Sequence, residues 1–444
     1  MMNTLSIFLS VRSLGSAGRD SIGKVQSERL QRLVTYARQH SPYFRDLYVD
    51  VPATITDISQ LPTTEKPDLM EHFNDWVTDP ELKRAELQDF LGREETIGDL
   101  VLNKYVVSTT SGTTGQPAII VHDQLSRQVY YAVGFLRNLL TRLSLFNLFT
   151  RIKLAAVLAT GGHFLGYTTV VRRAKHSSLR RKLQKVFSVF TPVSQLAKEL
   201  SAFKPDILGG YPTVIYLLAK EQLQNRLRIR PYVITSAGET LHPYMRSAME
   251  EAFGCEVLNN YGSSEVPGLT WECRYHKLHV NSDWHILEAT GDQNVLVTNL
   301  SNFVQPIIRY KMSDYAVFEE EPCRCGSHHP VISVIGRDDE ILPFLSDTGA
   351  TIEILPLAIA TVAEESEGVY QSQIVQKTRQ LLELRIKALD GTDDTQVKAI
   401  AKQRIEKFLQ AQGLSNVEVA ISADVPQANP RSGKFRSVIT LVEK

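Results

Sequence analysis

Eight consecutive residues, 108–115 (STTSGTTG), are all serine, threonine or glycine, and the chain then turns apolar through Pro117, Ala118 and Ile119. Glycines let a backbone approach a ligand closely, consecutive amide N–H groups form an anion nest, and hydroxyls add donors. The chemistry such a loop suits is the cradling of a phosphate chain. It is not a Walker A loop, because no Lys-Ser or Lys-Thr pair follows its second glycine. A solvated turn has the same composition, so the rest of the chain must decide. A second reactive set is divided between WECRYHKLHV (271–280) and EPCRCGSHH (321–329), which hold Cys273, His276, His279, Cys323, Cys325, His328 and His329. Thiolates and imidazoles suit a closed four-coordinate zinc site, although neither half has finger spacing. Small buried thiols are the metal-free alternative.

The elements that must hold these residues are strands and helices in alternation. Short apolar runs recur at AIIV (118–121), KLAAVLAT (153–160), DILGGY (206–211), YVITSAG (232–238) and CEVLNNYG (255–262). Helical patterns lie between them: DQLSRQVYYAVGFLRNLL, PTVIYLLAKEQLQ and HPYMRSAMEEAFG. Parallel strands need helical crossovers and are buried on both faces, so the pattern predicts parallel sheets covered by helices. Ahead of them, residues 25–48 space Leu30, Leu33, Val34 and Ala37 as an amphipathic helix with which the ordered fold begins. After about residue 280 the segments HVNSDWHILEA, QNVLVTNL, PIIRYKMSDYAVFE and VISVIGR predict an antiparallel or barrel-like section. A last segment combines strand patterns QSQIVQK, LLELRIKAL and VEVAIS with the helical TQVKAIAKQRIEKFLQAQG. The expected fold class is therefore α/β. A large N-terminal domain, 1–336, of parallel-type sheets with helices plus a β-rich subdomain precedes a small mobile α+β domain, 337–444.

The 444 residues carry 49 Lys plus Arg and 49 Asp plus Glu, so no net basic field draws the chain to nucleic acid or anionic lipid. Four cysteines are too few for a secreted disulfide scaffold and suit a reducing, cytoplasmic compartment. The first 20 residues have no basic leader before their apolar run. LAAVLATGGHFLGYTTVV (154–171) is broken by Gly161, Gly162 and His163, which favours strand plus loop over a membrane span. A small molecule is the expected partner, with no nucleic acid and no membrane.

STTSGTTGQP (108–117) resembles the phosphate loop of the adenylate-forming superfamily of acyl-CoA synthetases. Its other motifs have counterparts here in the same order. SAGET (236–240) resembles the adenine-contacting segment, NNYGSSE (259–265) the aromatic-Gly-x-Thr-Glu motif, and IRYKMSD (308–314) the stretch with the ribose-binding aspartate. GRDDEI (336–341) resembles the interdomain hinge and PRSGKFR (430–436) the loop with the catalytic lysine. The resemblance runs from about residue 27 to the C-terminus. RLVTYARQHSPYFRDLY and CRCG narrow it to the branch of phenylacetate-CoA ligases and capsule-biosynthesis relatives.

The resemblance implies an ATP-dependent carboxylate ligase. It forms an acyl adenylate with release of pyrophosphate and passes the acyl group to a thiol, that of coenzyme A foremost, with an aryl or arylacetic acid favoured. Ser108, Thr109, Thr110, Ser111, Gly112, Thr113, Thr114 and Gly115 are then assigned to the phosphates of ATP. Ala237, Gly238, Glu239, Asn260, Gly262, Ser263 and Ser264 surround the nucleotide, and Tyr261 stacks on adenine. Asp314 takes the ribose hydroxyls, Arg337 precedes the hinge at Asp339, and Glu265 holds Mg²⁺ on the phosphates. Lys434 bridges the acyl carboxylate and the α-phosphate as a mobile point charge. His163, Phe164 and Tyr167 are assigned to the acyl pocket.

Some relatives of that branch carry a structural zinc, and Cys273, His279, Cys323 and Cys325 are the corresponding ligands here, with His276 able to replace His279. The basic run 170–182 either meets the phosphates of coenzyme A or is a solvated helix face. Ala118 stands where many superfamily members have a lysine, and the phenylacetate ligase branch also lacks that lysine. GKFRS is shorter than the common Gly-Lys-x-x-Arg, so Arg436 is left out of the catalytic set. Two rival functions remain. One loads a carrier protein or an amine without coenzyme A. The other is a nucleotide-binding homologue without turnover, against which the presence of both Glu265 and Lys434 counts. A homodimer is the oligomer that relatives suggest.

Overall fold

The computed structural model describes residues 3–110, 118–140, 152–290, 294–337, 342–354, 356–364, 366–430 and 435–442. The chain forms two compact units. The first holds Met1–Gly238, Ala248–Met312 and Val317–Ser333; the second holds Glu239–Ser247, Ser313–Ala316 and Val334–Lys444.

The first unit opens with a helix over Thr4–Leu14, started by the Asn3 side chain, which accepts from the Ser6 N–H at 2.8 Å. Order therefore begins earlier than the helical pattern at residue 25 implies. Ile7 and Val11 of this helix are buried against Val129, Val133 and Trp284. The predicted amphipathic helix runs from Arg19 to His40 and buries Leu30, Leu33, Val34 and Ala37.

Two strands, β1 (Val106–Thr109) and β2 (Ile119–His122), pair antiparallel with Thr109 opposite Ile119. The central sheet follows: β3 (Leu154–Leu158), β4 (Gln184–Ser188), β5 (Ile207–Gly210), β6 (Val233–Ala237) and β7 (Glu256–Asn260). All four pairings are parallel and the strand order is β4-β3-β5-β6-β7. Helices over Leu165–Lys175, Val193–Phe203, Pro212–Leu223 and Pro243–Phe253 supply crossovers, as the alternating pattern requires. Gly210 permits the close approach of β5 to β3, where a Cβ would meet the Val157 carbonyl oxygen at 2.8 Å. β4 was not foreseen: QKVFS follows the basic run directly and forms the sheet edge.

Six further strands are β8 (Thr270–Glu272), β9 (Leu278–Val280), β10 (His285–Ala289), β11 (Asn294–Asn299), β12 (Tyr310–Phe318) and β13 (Val331–Arg337). They form one sheet of order β10-β11-β12-β13-β9-β8, in which the pairs β8–β9, β10–β11 and β9–β13 are antiparallel. In the second unit β14 (Leu342–Leu345) and β15 (Thr351–Ile354) pair as a hairpin. β16 (Val369–Thr378), β17 (Leu381–Ala388), β18 (Glu418–Ile421) and β19 (Val438–Thr440) form a sheet of order β18-β17-β16-β19. The helix Asp394–Ala411 buries Val397, Ala401, Ile405 and Leu409 in a core with Leu382, Leu384 and Ile386. Among the described residues no helix is long and apolar enough to cross a membrane.

Candidate functional site

β1 and β2 bring the two ends of the Ser/Thr/Gly loop together. Thr110 N donates to the Ala118 oxygen at 3.1 Å, and Ala118 N donates to Thr110 Oγ1 at 2.9 Å. The loop proper, with Ser111, Gly112, Thr113, Thr114 and Gly115, lies outside the described residues. Thr109 N donates to the His163 oxygen at 2.9 Å. Ser108 is fully buried, and its hydroxyl has no partner among the described residues. The far strand is clamped by side chains that sequence reasoning missed. Gln305 accepts from Val121 N at 2.8 Å and donates to the Ile119 oxygen at 3.0 Å, while Asn302 Nδ2 donates to the Val121 oxygen at 2.8 Å. Both clamps are fully buried. They come from 180 residues downstream, and no local pattern marks them.

The second part of the site stands at the carboxyl ends of β6 and β7, where open parallel sheets bind ligands. The register sets Ser236 beside Asn259 and Ala237 beside Asn260. Gly238 then turns with φ +88°, a conformation that favours glycine. At Gly262 an added Cβ would meet the Val266 carbonyl oxygen at 3.0 Å, so the backbone after Tyr261 is drawn close to the chain that follows it. Ser263 Oγ is a buried hydroxyl without a partner among the described residues, and Ser264 is half-buried.

Glu265 is nearly buried. Its backbone oxygen accepts from Asn299 Nδ2 at 3.0 Å, and its Oε1 accepts from the Tyr310 hydroxyl at a long 3.5 Å. A fixed carboxylate with so long a contact fits the one or two carboxylates that Mg²⁺ takes from a protein in phosphate sites. Arg309, at φ +45°, pairs with Glu288 at 2.9 Å and donates to the Leu61 oxygen at 2.6 Å, anchoring the start of β12. Asp314 lies further along β12 and Arg337 ends β13, whereas Asp339 and Lys434 lie outside the described residues. Glu239 follows the Gly238 turn.

Of the residues assigned to the acyl pocket, His163 is only 2 % exposed. Its Nε2 lies 3.2 Å from both Thr96 Oγ1 and the Arg93 oxygen, and its ring packs on Phe90 with centroids 5.2 Å apart. Burial lowers its pKa. The ring thus ties the turn after β3 to the 93–96 segment, while half-buried Phe164 precedes, and half-buried Tyr167 lies within, the helix Leu165–Lys175.

The ligating atoms of Cys273, His279, Cys323 and Cys325 lie within 4.8 Å of one another. Cys273 Sγ and Cys323 Sγ are 3.8 Å apart as free thiols, and His279 Nε2 is 3.3 Å from Cys325 Sγ. Zn–S bonds near 2.3 Å in a tetrahedron give sulfur–sulfur edges of about 3.8 Å. His279 Nδ1 donates to the His329 oxygen at 2.9 Å, which leaves the Nε2 lone pair facing the thiols, the outer contact a zinc-bound histidine needs. The Tyr275 and Ser327 amides each donate to a cysteine sulfur at 3.4 Å. Burial and the neighbouring thiols push the Cys325 thiol up, so thiolates here call for a cation. This donor set fits zinc. His276, at φ +57°, lies instead near Glu272, 3.9 Å away.

The sequence profile of the AMP-binding enzyme family matches residues 78–295. Protein CapK of Staphylococcus aureus is 24% identical over 383 residues, which span 80% of this chain and 75% of CapK. Phenylacetate-coenzyme A ligase of Thermus thermophilus is 24% identical over 354 residues, 73% of this chain and 72% of that protein. These matches support the adenylate-forming superfamily, in the branch of phenylacetate-CoA ligases and CapK. The fold agrees. 2-Hydroxyisobutyryl-CoA ligase in its postadenylation state, with 2-HIB-AMP, matches with a TM-score of 0.69 at 19% identity, covering 96% of this chain and 91% of that one.

Proposed function

We propose that this enzyme is an AMP-forming acid–thiol ligase that activates an aryl or arylacetic acid with ATP and hands the acyl group to coenzyme A. The observation that carries the reading is the juxtaposition of Ala237–Gly238 with Asn260–Tyr261–Gly262 at the ends of adjacent parallel strands, followed by the buried Glu265 carboxylate. In the first half-reaction a carboxylate oxygen of the acid attacks the α-phosphorus of ATP, and the bond to pyrophosphate breaks. Two anions approach each other, so the site must neutralise charge and fix geometry. Lys434 supplies the mobile charge between carboxylate and α-phosphate. Mg²⁺ held by Glu265 would draw charge from the phosphates. In the second half-reaction the thiol gives up its proton, sulfur attacks the acyl carbon, and AMP departs. Lys434 has no role in that step, and residues 337–444 act as a lid that turns at Asp339 to withdraw it. The phosphate loop, Tyr261 on adenine and Asp314 on the ribose complete the ATP site, and a structural zinc belongs at Cys273, His279, Cys323 and Cys325.

Acid-dependent exchange of labelled pyrophosphate into ATP, across a panel of carboxylic acids with Mg²⁺, tests the adenylation step. No exchange with any acid would remove the ligase reading. Adding coenzyme A, a carrier protein or an amine to the active acid then identifies the acceptor.

A further inference from the structure

β7 is the last strand of the parallel sheet, so one of its edges has no strand of that sheet beside it. Amides left open on such an edge need other acceptors. Three alternate residues find them in side chains. Val257 N donates to Glu250 Oε1 at 3.2 Å, Asn259 N to Glu272 Oε2 at 2.8 Å, and Tyr261 N to Thr270 Oγ1 at 3.0 Å. Thr270 closes a full ring with Tyr261, since its hydroxyl and its amide both reach the Tyr261 oxygen, at 3.0 and 3.1 Å. Thr270 and Glu272 are each only 1% exposed.

Both belong to β8, a strand of three residues, and successive side chains of a strand point to opposite faces. The residue between them, Trp271, is registered opposite His279 on β9 and stacks on its imidazole, with centroids 4.7 Å apart and planes 19° from parallel. Cys273 follows Glu272 directly. One face of β8 thus holds the segment Asn259–Tyr261, and the other face and the C-terminal end hold two of the four metal-binding residues.

We propose that Thr270 and Glu272 are positioning residues through which the Cys/His cluster, once it holds zinc, fixes the backbone of Asn259–Tyr261 and so tightens the binding of ATP. This rests on the reading of that segment as part of the nucleotide site. Zinc would pin Cys273 and His279 together, hold the β8–β9 pair in register, and present both acceptors at fixed places. Without it the acceptors would drift from the amides they satisfy.

The test measures the dissociation constant for Mg²⁺–ATP by calorimetry alongside zinc content, using the full chain. Thr270→Val and Glu272→Leu should each keep one zinc and weaken ATP binding about tenfold, the scale of one lost hydrogen bond to a buried amide. Thr270→Ser and Glu272→Gln keep an acceptor and should restore it. Stripping zinc with a chelator should weaken ATP binding by a similar factor, recover on adding zinc back, and add little in Glu272→Leu. Wild-type ATP affinity in zinc-bearing Thr270→Val, or in the stripped chain, overturns the proposal. So does wild-type protein that binds ATP and takes up no zinc. Should Glu272→Leu fail to fold, Thr270→Val and the stripped chain decide. Failure of the wild-type protein to bind ATP at all is a different result and counts against the ligase reading itself.

Discussion

Gln305 reaches across 184 residues of sequence to take the Val121 amide on its Oε1 at 2.8 Å. Its amide nitrogen donates to the Ile119 oxygen, so one side chain holds an amide and a carbonyl of β2. Replacing Gln305 with Ala strands a buried donor and acceptor, at a cost of about 1–3 kcal/mol. The KM for ATP should rise more than kcat falls, because the role proposed for the hairpin is to position phosphate and it makes no bond in the reaction. Unchanged melting and unchanged KM would show that the clamp is dispensable.

Glu265→Gln preserves shape and the Tyr310 contact while removing the charge proposed for Mg²⁺. Pyrophosphate exchange should fall at least a hundredfold, and raising Mg²⁺ should recover part of it. Exchange at the wild-type rate at low Mg²⁺ would show that another group carries the ion.

Lys434→Ala separates the two half-reactions. Acyl-adenylate formation should drop by about 10²–10³-fold, the usual size of one lost charge donor, while transfer from chemically prepared acyl adenylate to coenzyme A continues. Equal loss in both steps would contradict a lysine that acts only in the first.

Elemental analysis of protein purified without a metal-affinity step should find about one zinc per chain. Cys323→Ser should lose it, and unfolding of the first unit should begin at lower temperature, because a structural metal that binds only the folded state stabilises it. Metal-free native protein with the same melting curve would leave the three thiols and one imidazole as simple packing.

His122 and His285 are both 1% exposed, and burial pushes each down to about 4. The unfolded chain keeps the ordinary value near 6.5, so it binds protons first as pH falls. Stability from keeping these rings neutral is present in full above that value and declines between it and about 4, by about 1.4 kcal/mol per pH unit for each ring. Melting temperature should fall between pH 7 and 5, and His285→Asn should flatten that slope. An identical slope in the variant would mean the ring is not the group titrating.

Much of the scaffold was legible because local pattern and burial agree. Leu30, Leu33, Val34 and Ala37 repeat at helical spacing and are buried, and AAV and VIT read as doubly covered strands and are so. β4 was hidden by composition: Gln184 and Lys185 are polar because an edge strand meets solvent. The Thr4–Leu14 helix was hidden because a short apolar run at the start of a sequence has the pattern of a leader as well as of a helix. Cys273, His279, Cys323 and Cys325 could be nominated from ligand chemistry together with the family resemblance. Thr270, Glu272, Asn302 and Gln305 could not, since each acts on a backbone group that any sequence would supply there. Pattern reveals what a side chain prefers and says little about which distant amide it will meet.

The two large sheets differ in when they can assemble during synthesis. In the order β4-β3-β5-β6-β7 each newly made strand joins the outside of those already present, so the sheet can grow as the chain emerges from the ribosome. The order β10-β11-β12-β13-β9-β8 leaves two halves until β13, at Val331–Arg337, slots between β12 and β9. Cys273 and His279 therefore wait for partners that are translated only just before that closing strand, and the nascent chain must carry them reduced and unpaired until then.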